Sequence, residues 1–263
     1  MAYFKNFPLI KYKFGNNEES VFFKDASVYV DLIDQIADNV SYYSNFTIVD
    51  GERPDTLSYK LYGTSDYYWT FFLLNESLRQ SGWPLTVTKM YKFIEEVYPN
   101  YAIQLDGSYK VDGVITPMTL ATLFPVGQSF SVDGSAVATV VKKNLDIGQV
   151  VFKYKSGDES QLLNFTQLNY SNSDGEILVF NAGASTNFYN NVVEYNSPAY
   201  YTNSLGVRAD IDPYDIATST GPLIPVTYQD KLINFNDDLK VIKMFKPSAI
   251  SNVVNEFNRL VKG

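Results

Sequence analysis

The sequence predicts an α+β chain in which helical segments towards both ends flank a stretch of short strands. Three observations carry that prediction. Apolar residues recur at helical spacing between Ser27 and Pro99. Short β-branched runs alternate with Gly, Asn, Ser and Asp between Leu105 and Tyr195. After Asp238 a strand-like run leads into an amphipathic helix. The 263 residues suffice for one large domain or two modest ones.

Residues 1–26 mix aromatics, lysines and Pro8 without a sustained period, which predicts an extended arm. A domain with flanking helices is expected over 27–100. Ser27 caps a helix through Val40, with Tyr29, Leu32, Ile33, Ile36 and Val40 on one stripe. Ser44–Asp50 alternates as a short strand. Two short helices then fold around one glycine. Pro54 occupies a first helical position and Gly63 a left-handed stop, while Leu57 and Leu61 share a face. Ser65 caps the second helix, Asp66 to Asn75, which is apolar on nearly every side. Gly82, Trp83 and Pro84 form a turn. Thr88 then starts a helix ended by Pro99, with Met90, Phe93, Ile94 and Val97 in phase.

A β-rich insertion is expected over 101–200, as a small antiparallel barrel or sandwich. Its strands are Gln128–Val132, Ala136–Lys142, Gln149–Lys155, Leu162–Leu168, Glu176–Phe180 and Val192–Tyr195. Asp133-Gly134 and Asp174-Gly175 are hairpin signals between such runs. Residues 201–236, with Pro213, Pro222 and Pro225, read as an extended connection. In 237–263, the run Asp238–Lys246 is strand-like. Pro247 opens a helix with Ile250, Val253, Val254, Phe257, Leu260 and Val261 along one stripe.

Composition narrows the function. Hydrophobic residues make up 45% of the chain, so a core is affordable and disorder is not expected. A net charge of −8 argues against a basic surface for nucleic acid. No apolar run approaches the roughly 20 residues that span a bilayer, so no membrane partner is expected, and the N-terminus does not read as a secretory signal. With neither His nor Cys, histidine triads, thiolate sites and histidine-bearing metal sites are excluded. The acidic neighbours Glu18-Glu19, Glu95-Glu96 and Asp237-Asp238 point apart if helical and read as solvated surface. No phosphate-cradling glycine motif occurs. The expectation is therefore a chain without catalytic residues, cofactor or metal. The 21 Tyr and 18 Phe suit either a β-rich core or a protein interface. Trp69, on an apolar helix, reads as core, while Trp83 reads equally as a packing lid or an interface anchor.

These residues resemble a known family. Asp50-Gly51, Leu57-Ser58, Leu61-Tyr62-Gly63 and Leu74-Asn75 are similar to the motif of the LysM module, a βααβ unit. Glu52-Arg53-Pro54 before the first helix, Tyr68-Trp69 in the second and Trp83-Pro84 after it narrow the likeness. Together they resemble the small baseplate wedge subunit of contractile-tailed phages, of the gene-fifty-three type. The likeness extends to Phe7-Pro8-Leu9-Ile10-Lys11-Tyr12 and to Leu239–Leu260, and so covers roughly the first hundred and last thirty residues. The resemblance implies a LysM-like core with flanking helices, interrupted by the β insertion and closed by a strand near Leu239–Phe245 that pairs with Ser44–Asp50.

The implied role is structural and non-enzymatic: a virion protein of the tail baseplate, made in the host cytoplasm, that joins adjacent wedges around the hub. Its implied partners are other wedge and hub proteins and neighbouring copies in a six-fold ring. Pro54, Leu57, Leu61, Tyr62, Gly63, Trp69 and Asn75 would define the fold, and Tyr67, Tyr68, Trp83 and Phe257 would serve the interface. The alternatives are a peptidoglycan- or chitin-type glycan binder, which usually carries a signal peptide or tandem modules, and a wall glycosidase needing two facing carboxyls.

Overall fold

In the computed structural model, the described residues are 8–13, 20–25, 42–105, 109–111, 114–116, 119–171, 175, 177–181, 188–212 and 216–262. In chain order, the first half contains β1 (Leu9–Lys13), β2 (Ser20–Lys24), β3 (Tyr43–Thr47), α1 (Pro54–Tyr62), α2 (Trp69–Leu74), α3 (Glu76–Ser81), α4 (Val87–Val97), β4 (Tyr101–Leu105), β5 (Tyr109–Val111), β6 (Val114–Thr116), α5 (Thr119–Thr122) and β7 (Ser129–Val132). The remainder contains β8 (Ala136–Asn144), β9 (Gln149–Gly157), β10 (Gln167–Ser171), β11 (Ile177–Asn181), β12 (Phe188–Val193), β13 (Pro198–Thr202), β14 (Arg208–Ala209), α6 (Ile216–Thr220), β15 (Ile224–Thr227), α7 (Tyr228–Asp238), β16 (Val241–Phe245) and α8 (Ile250–Lys262). The chain is α+β and divides into two compact units, Met1–Val87 with Phe235–Gly263, and Thr88–Asn234.

The first unit is closed by residues far apart in sequence. β3 and β16 pair antiparallel, Val241 opposite Thr47 and Phe245 opposite Tyr43. The strands are shorter than the sequence predicts. Ile48 leaves the strand but still donates its N–H to the Lys240 carbonyl, and Leu239 follows the end of α7. One side chain adds a second tie. Asn236 accepts from Leu85 N–H at 2.7 Å and donates to the Leu85 carbonyl at 3.1 Å. Its amide thus reproduces the donor–acceptor pair of a strand residue.

Two expectations for this unit change. The extended arm contains a hairpin: β1 and β2 pair antiparallel, Ile10 opposite Phe23 and Tyr12 opposite Val21. Those four side chains share one face, an alternation over only five residues per strand that was too short to stand out. The second helix is not continuous. Thr64, not Ser65, caps a 3-10 turn over Ser65–Tyr67, and α2 starts only at Trp69. The Thr70 hydroxyl donates to the Tyr67 carbonyl at the joint. The helix expected over Ser27–Val40 lies outside the described residues.

The second unit is built on a seven-stranded antiparallel sheet in the order β11-β10-β7-β8-β9-β4-β12. The expected barrel or sandwich is, among the described residues, one sheet whose ladders do not close. β8 and β9 form its longest pair, with register shifts between Val137 and Ala138 and between Val140 and Lys142. Such bulges bend and twist a sheet without requiring closure. The core fills one face, with Phe124, Phe130, Phe152, Leu162 and Leu168 all buried. At Gly157, with φ of 94°, a Cβ would collide with the Ser135 carbonyl oxygen, so glycine is required where β9 ends against the β7–β8 turn. That turn has Asp133 and Gly134 both at positive φ, as its Asp-Gly pair predicts.

Several boundaries move here. The unit spans Thr88–Asn234, beyond 101–200 on both sides, and takes in the expected connection as far as Asn234; that stretch is regular, with β13 pairing with both β14 and β15 and α7 following. Pro225 hid this strand, but it lies on β15, an edge position where the missing N–H is tolerated. Thr227 and Asp230 cap α7 reciprocally, each side chain accepting from the other's N–H. The strand expected at Leu162–Leu168 is a 3-10 turn over Glu159–Leu163 followed by β10. Asp133 draws the chain into β10 by accepting from the N–H groups of Thr166 and Gln167. The last expected strand ends at Val193, and Glu194–Asn196 forms a 3-10 turn. On α4, Met90 and Ile94 are buried while Phe93 and Val97 are exposed, so the buried stripe is narrower than its period predicts. No helix among the described residues is long and apolar enough to cross a membrane.

Candidate functional site: the aromatic cluster of the first unit

The residues of the two-helix motif converge on β16. Pro54 begins α1, and Gly63, at φ 75° and ψ 2°, ends it by donating its N–H to the Tyr59 carbonyl. Leu57 is fully buried and Leu61 half-buried beside Ile48, Phe71, Leu78, Leu239 and Ile242. Tyr62 lies at the end of α1, stacked on Phe71 with ring centroids 6.0 Å apart. Its hydroxyl donates to the Phe245 carbonyl at 2.9 Å. Burial pushes the Tyr62 phenol up to about 12, so it stays a neutral donor across the physiological range.

Asn75 completes the arrangement. It is buried, accepts from Lys243 N–H at 2.8 Å, and donates to the Lys243 and Phe71 carbonyls, both at 2.7 Å. In an antiparallel pair, alternate residues turn their backbone groups away from the partner strand. Lys243 and Phe245 are such residues on β16. Asn75 and Tyr62 therefore satisfy the edge that β3 leaves open. The sequence marks Asn75 only as the residue closing a motif; its task is to act as a third strand one residue long.

The expected core and interface residues separate clearly. Trp69 is core: it is 7% exposed, and its ring centroid lies 4.3 Å from that of Phe257. Phe257, expected at an interface, is 1% exposed and held among Trp69, Leu73, Phe245 and Val253. The amphipathic stripe of α8 thus serves the chain's own core. Trp83 is a lid. Its indole N–H donates to the Glu52 carbonyl at 2.6 Å, and its ring packs 5.9 Å from both Phe71 and Phe72. Tyr67 and Tyr68 are half-buried against the same core, Tyr67 lying 6.2 Å from Tyr62. They and Trp83 remain partly exposed. Val49, Tyr59 and Val241 are more exposed, at 65%, 65% and 61%. Sequence reasoning missed all three, although Tyr59 falls off the Leu57–Leu61 face by simple helical phase.

The second unit holds a separate ion pair in which a buried carboxylate meets a half-exposed ammonium. Glu194 is 1% exposed and its carboxylate accepts from Lys142 at 2.6 Å and from the Asn100 amide at 2.8 Å. The same ammonium lies over the rings of Tyr98 and Tyr228, 5.5 and 5.2 Å from their centroids. Burial raises the Tyr98 phenol above its ordinary value, Lys142 opposes the shift, and Tyr228 and Glu194 add to it. Because every member is engaged within the cluster, it acts as a structural tie between the segment that follows α4, β8, the turn at Glu194 and α7. Among the described residues no group of three or more acidic side chains could hold a metal ion. What the aromatic cluster can do is pack, and offer tyrosine and tryptophan surface to another protein. No protein-family model matches the chain, and no curated protein is significantly similar to it.

Proposed function

We propose that this chain is a structural subunit of a contractile phage tail baseplate, joining adjacent wedges around the hub, with its first unit a LysM-like domain. The observation that carries this reading is the split closure of that unit. The strand needed to complete a βααβ core comes from Val241–Phe245, and the motif residues Tyr62 and Asn75 bind it directly. This is the layout the resemblance implies, with a β-rich unit inserted before the closing strand. A domain that needs both ends of its chain, and that leaves Tyr67, Tyr68 and Trp83 partly exposed, suits a clamp between protein neighbours. The other wedge proteins, the hub and neighbouring copies are its proposed partners.

The test is co-expression of the tagged chain with the wedge and hub proteins of a contractile-tailed phage. Co-purification of a wedge complex, weakened by Tyr67→Ala with Tyr68→Ala, is expected. A chain that never co-purifies with them, and is absent from purified tails by mass spectrometry, overturns the reading. Tight retention on peptidoglycan, lost on substitution within the first unit, would replace it with the glycan-binding alternative.

A further inference from the structure

The second unit contains a cleft of about 520 Å³, within the roughly 300–1,000 Å³ of small-molecule sites. Its lining includes Leu145 and Asp146 from the turn between β8 and β9, Tyr200 from β13, and Arg208, Asp210 and Ile211 from the segment beginning at β14.

A buried side chain ties the two walls. Gln104, 1% exposed, donates to the Ile147 carbonyl at 3.0 Å and accepts from the Tyr201 hydroxyl at 3.1 Å. The β8–β9 turn and β13 are therefore tied together beneath the cleft, and β14 is held by its ladder to β13, Tyr201 opposite Ala209. This is a pre-organised floor carried on strands.

The rim has the opposite character. Asp146 and Asp210 are exposed and take part in none of the hydrogen bonds or ion pairs of the described residues. Arg208 stacks over the Tyr200 ring at 5.5 Å and, among the described residues, pairs with no carboxylate. The cleft thus presents groups that only accept, a guanidinium that only donates, and apolar surface from Leu145, Ile211 and the Tyr200–Arg208 stack.

From these features we infer that the cleft is a binding site for a neutral saccharide. Two carboxylates against one guanidinium leave a net negative lining, which disfavours phosphate and nucleotide. A simple amine would use the carboxylates and leave the guanidinium opposed. A pyranose supplies hydroxyls that donate to Asp146 and Asp210, ring and hydroxyl oxygens that accept from Arg208, and a C–H face for the apolar wall. The site lies in the second unit and is independent of any LysM-type glycan binding by the first.

Isotope-labelled full-length chain titrated with glucose, galactose, N-acetylglucosamine or its trimer, each to millimolar concentration, tests this. At least one is expected to shift the amide resonances of residues 145–147 and 208–211. Arg208→Ala and the Asp146→Asn, Asp210→Asn pair, all at exposed positions, should each weaken that binding about tenfold or more while leaving the thermal transition unchanged. No shift with any of the four saccharides overturns the inference. So does binding that survives both variants, or shifts at these residues with putrescine or inorganic phosphate but with no saccharide. Because the readout is residue-specific within the second unit, failure here leaves the baseplate reading standing.

Discussion

Replacing Asn75 with alanine tests the closure of the first unit most directly. The substitution removes three hydrogen bonds and strands the Lys243 N–H, the Lys243 carbonyl and the Phe71 carbonyl. A buried polar group left without its partner costs about 1–3 kcal/mol. Lys243 is itself exposed, so water recovers part of the loss at its two groups, whereas the Phe71 bond is enclosed. The expected net loss is about 2–4 kcal/mol. Urea unfolding followed by tryptophan emission is the assay of choice. The chain's two tryptophans, Trp69 and Trp83, both lie in the first unit, so the signal reports that unit alone. Asn75→Asp sharpens the test. It is nearly isosteric and keeps an acceptor for Lys243 N–H, but it sets a carboxylate against two carbonyls, so it should cost at least as much as alanine. A change below about 0.5 kcal/mol for Asn75→Ala would refute the edge-sealing role.

Further outcomes follow from the same geometry. Trp69→Ala should destabilise the first unit by about 3–5 kcal/mol, because its ring fills the contact with Phe257; a loss under about 1 kcal/mol in the same urea assay would contradict a core position. Truncation after Asp238 removes β16 and α8, so the Trp signal should report an unfolded first unit, while near-ultraviolet circular dichroism shows the Tyr-rich second unit still folded. Tyr62 binds its proton more tightly in the fold than in the unfolded chain, so stability falls as pH rises from about 10 to about 12. Tyr62→Phe should remove up to about 2–3 kcal/mol of that loss, read from Trp-monitored unfolding against pH. Lys142→Met leaves the Glu194 carboxylate buried with only Asn100, and should lower the melting temperature of the second unit; because Lys142 is half-exposed, the expected cost is about 1–3 kcal/mol rather than that of a fully buried pair.

The first unit was largely legible in the sequence. Pro54, Gly63, Leu57 and Leu61 follow local rules of helix capping and phase, and the structure places each where those rules put it. The pairing of β3 with β16 is not local, and only the resemblance suggested it. What stayed hidden was the use of side chains as backbone. Nothing in the spacing around Asn75 or Asn236 says that their amides will mimic strand residues, because their partners lie more than 150 positions away. In the second unit, Asp133-Gly134 announced its hairpin, whereas β13 and β15 were concealed by prolines that edge strands accept. Thr227-x-x-Asp230 was a readable helix start that the surrounding prolines overshadowed. For the candidate site, Trp69 followed from its apolar helix. The stripe carrying Phe257 gave no sign that it would be consumed internally, because a helical stripe reports that a face is covered, not by what.

The pairing of Tyr43–Thr47 with Val241–Phe245 also sets an order of events during synthesis. β3 leaves the ribosome roughly two hundred residues before its partner. At about 5–20 residues per second, that interval is roughly ten to forty seconds. Throughout it, all of Thr88–Asn234 has emerged or is emerging, so the larger unit has time to fold while β3 waits without β16. A chain that stops early therefore cannot complete its first unit. The closing strand β16 thus makes folding of the first unit wait on synthesis of the entire inserted unit.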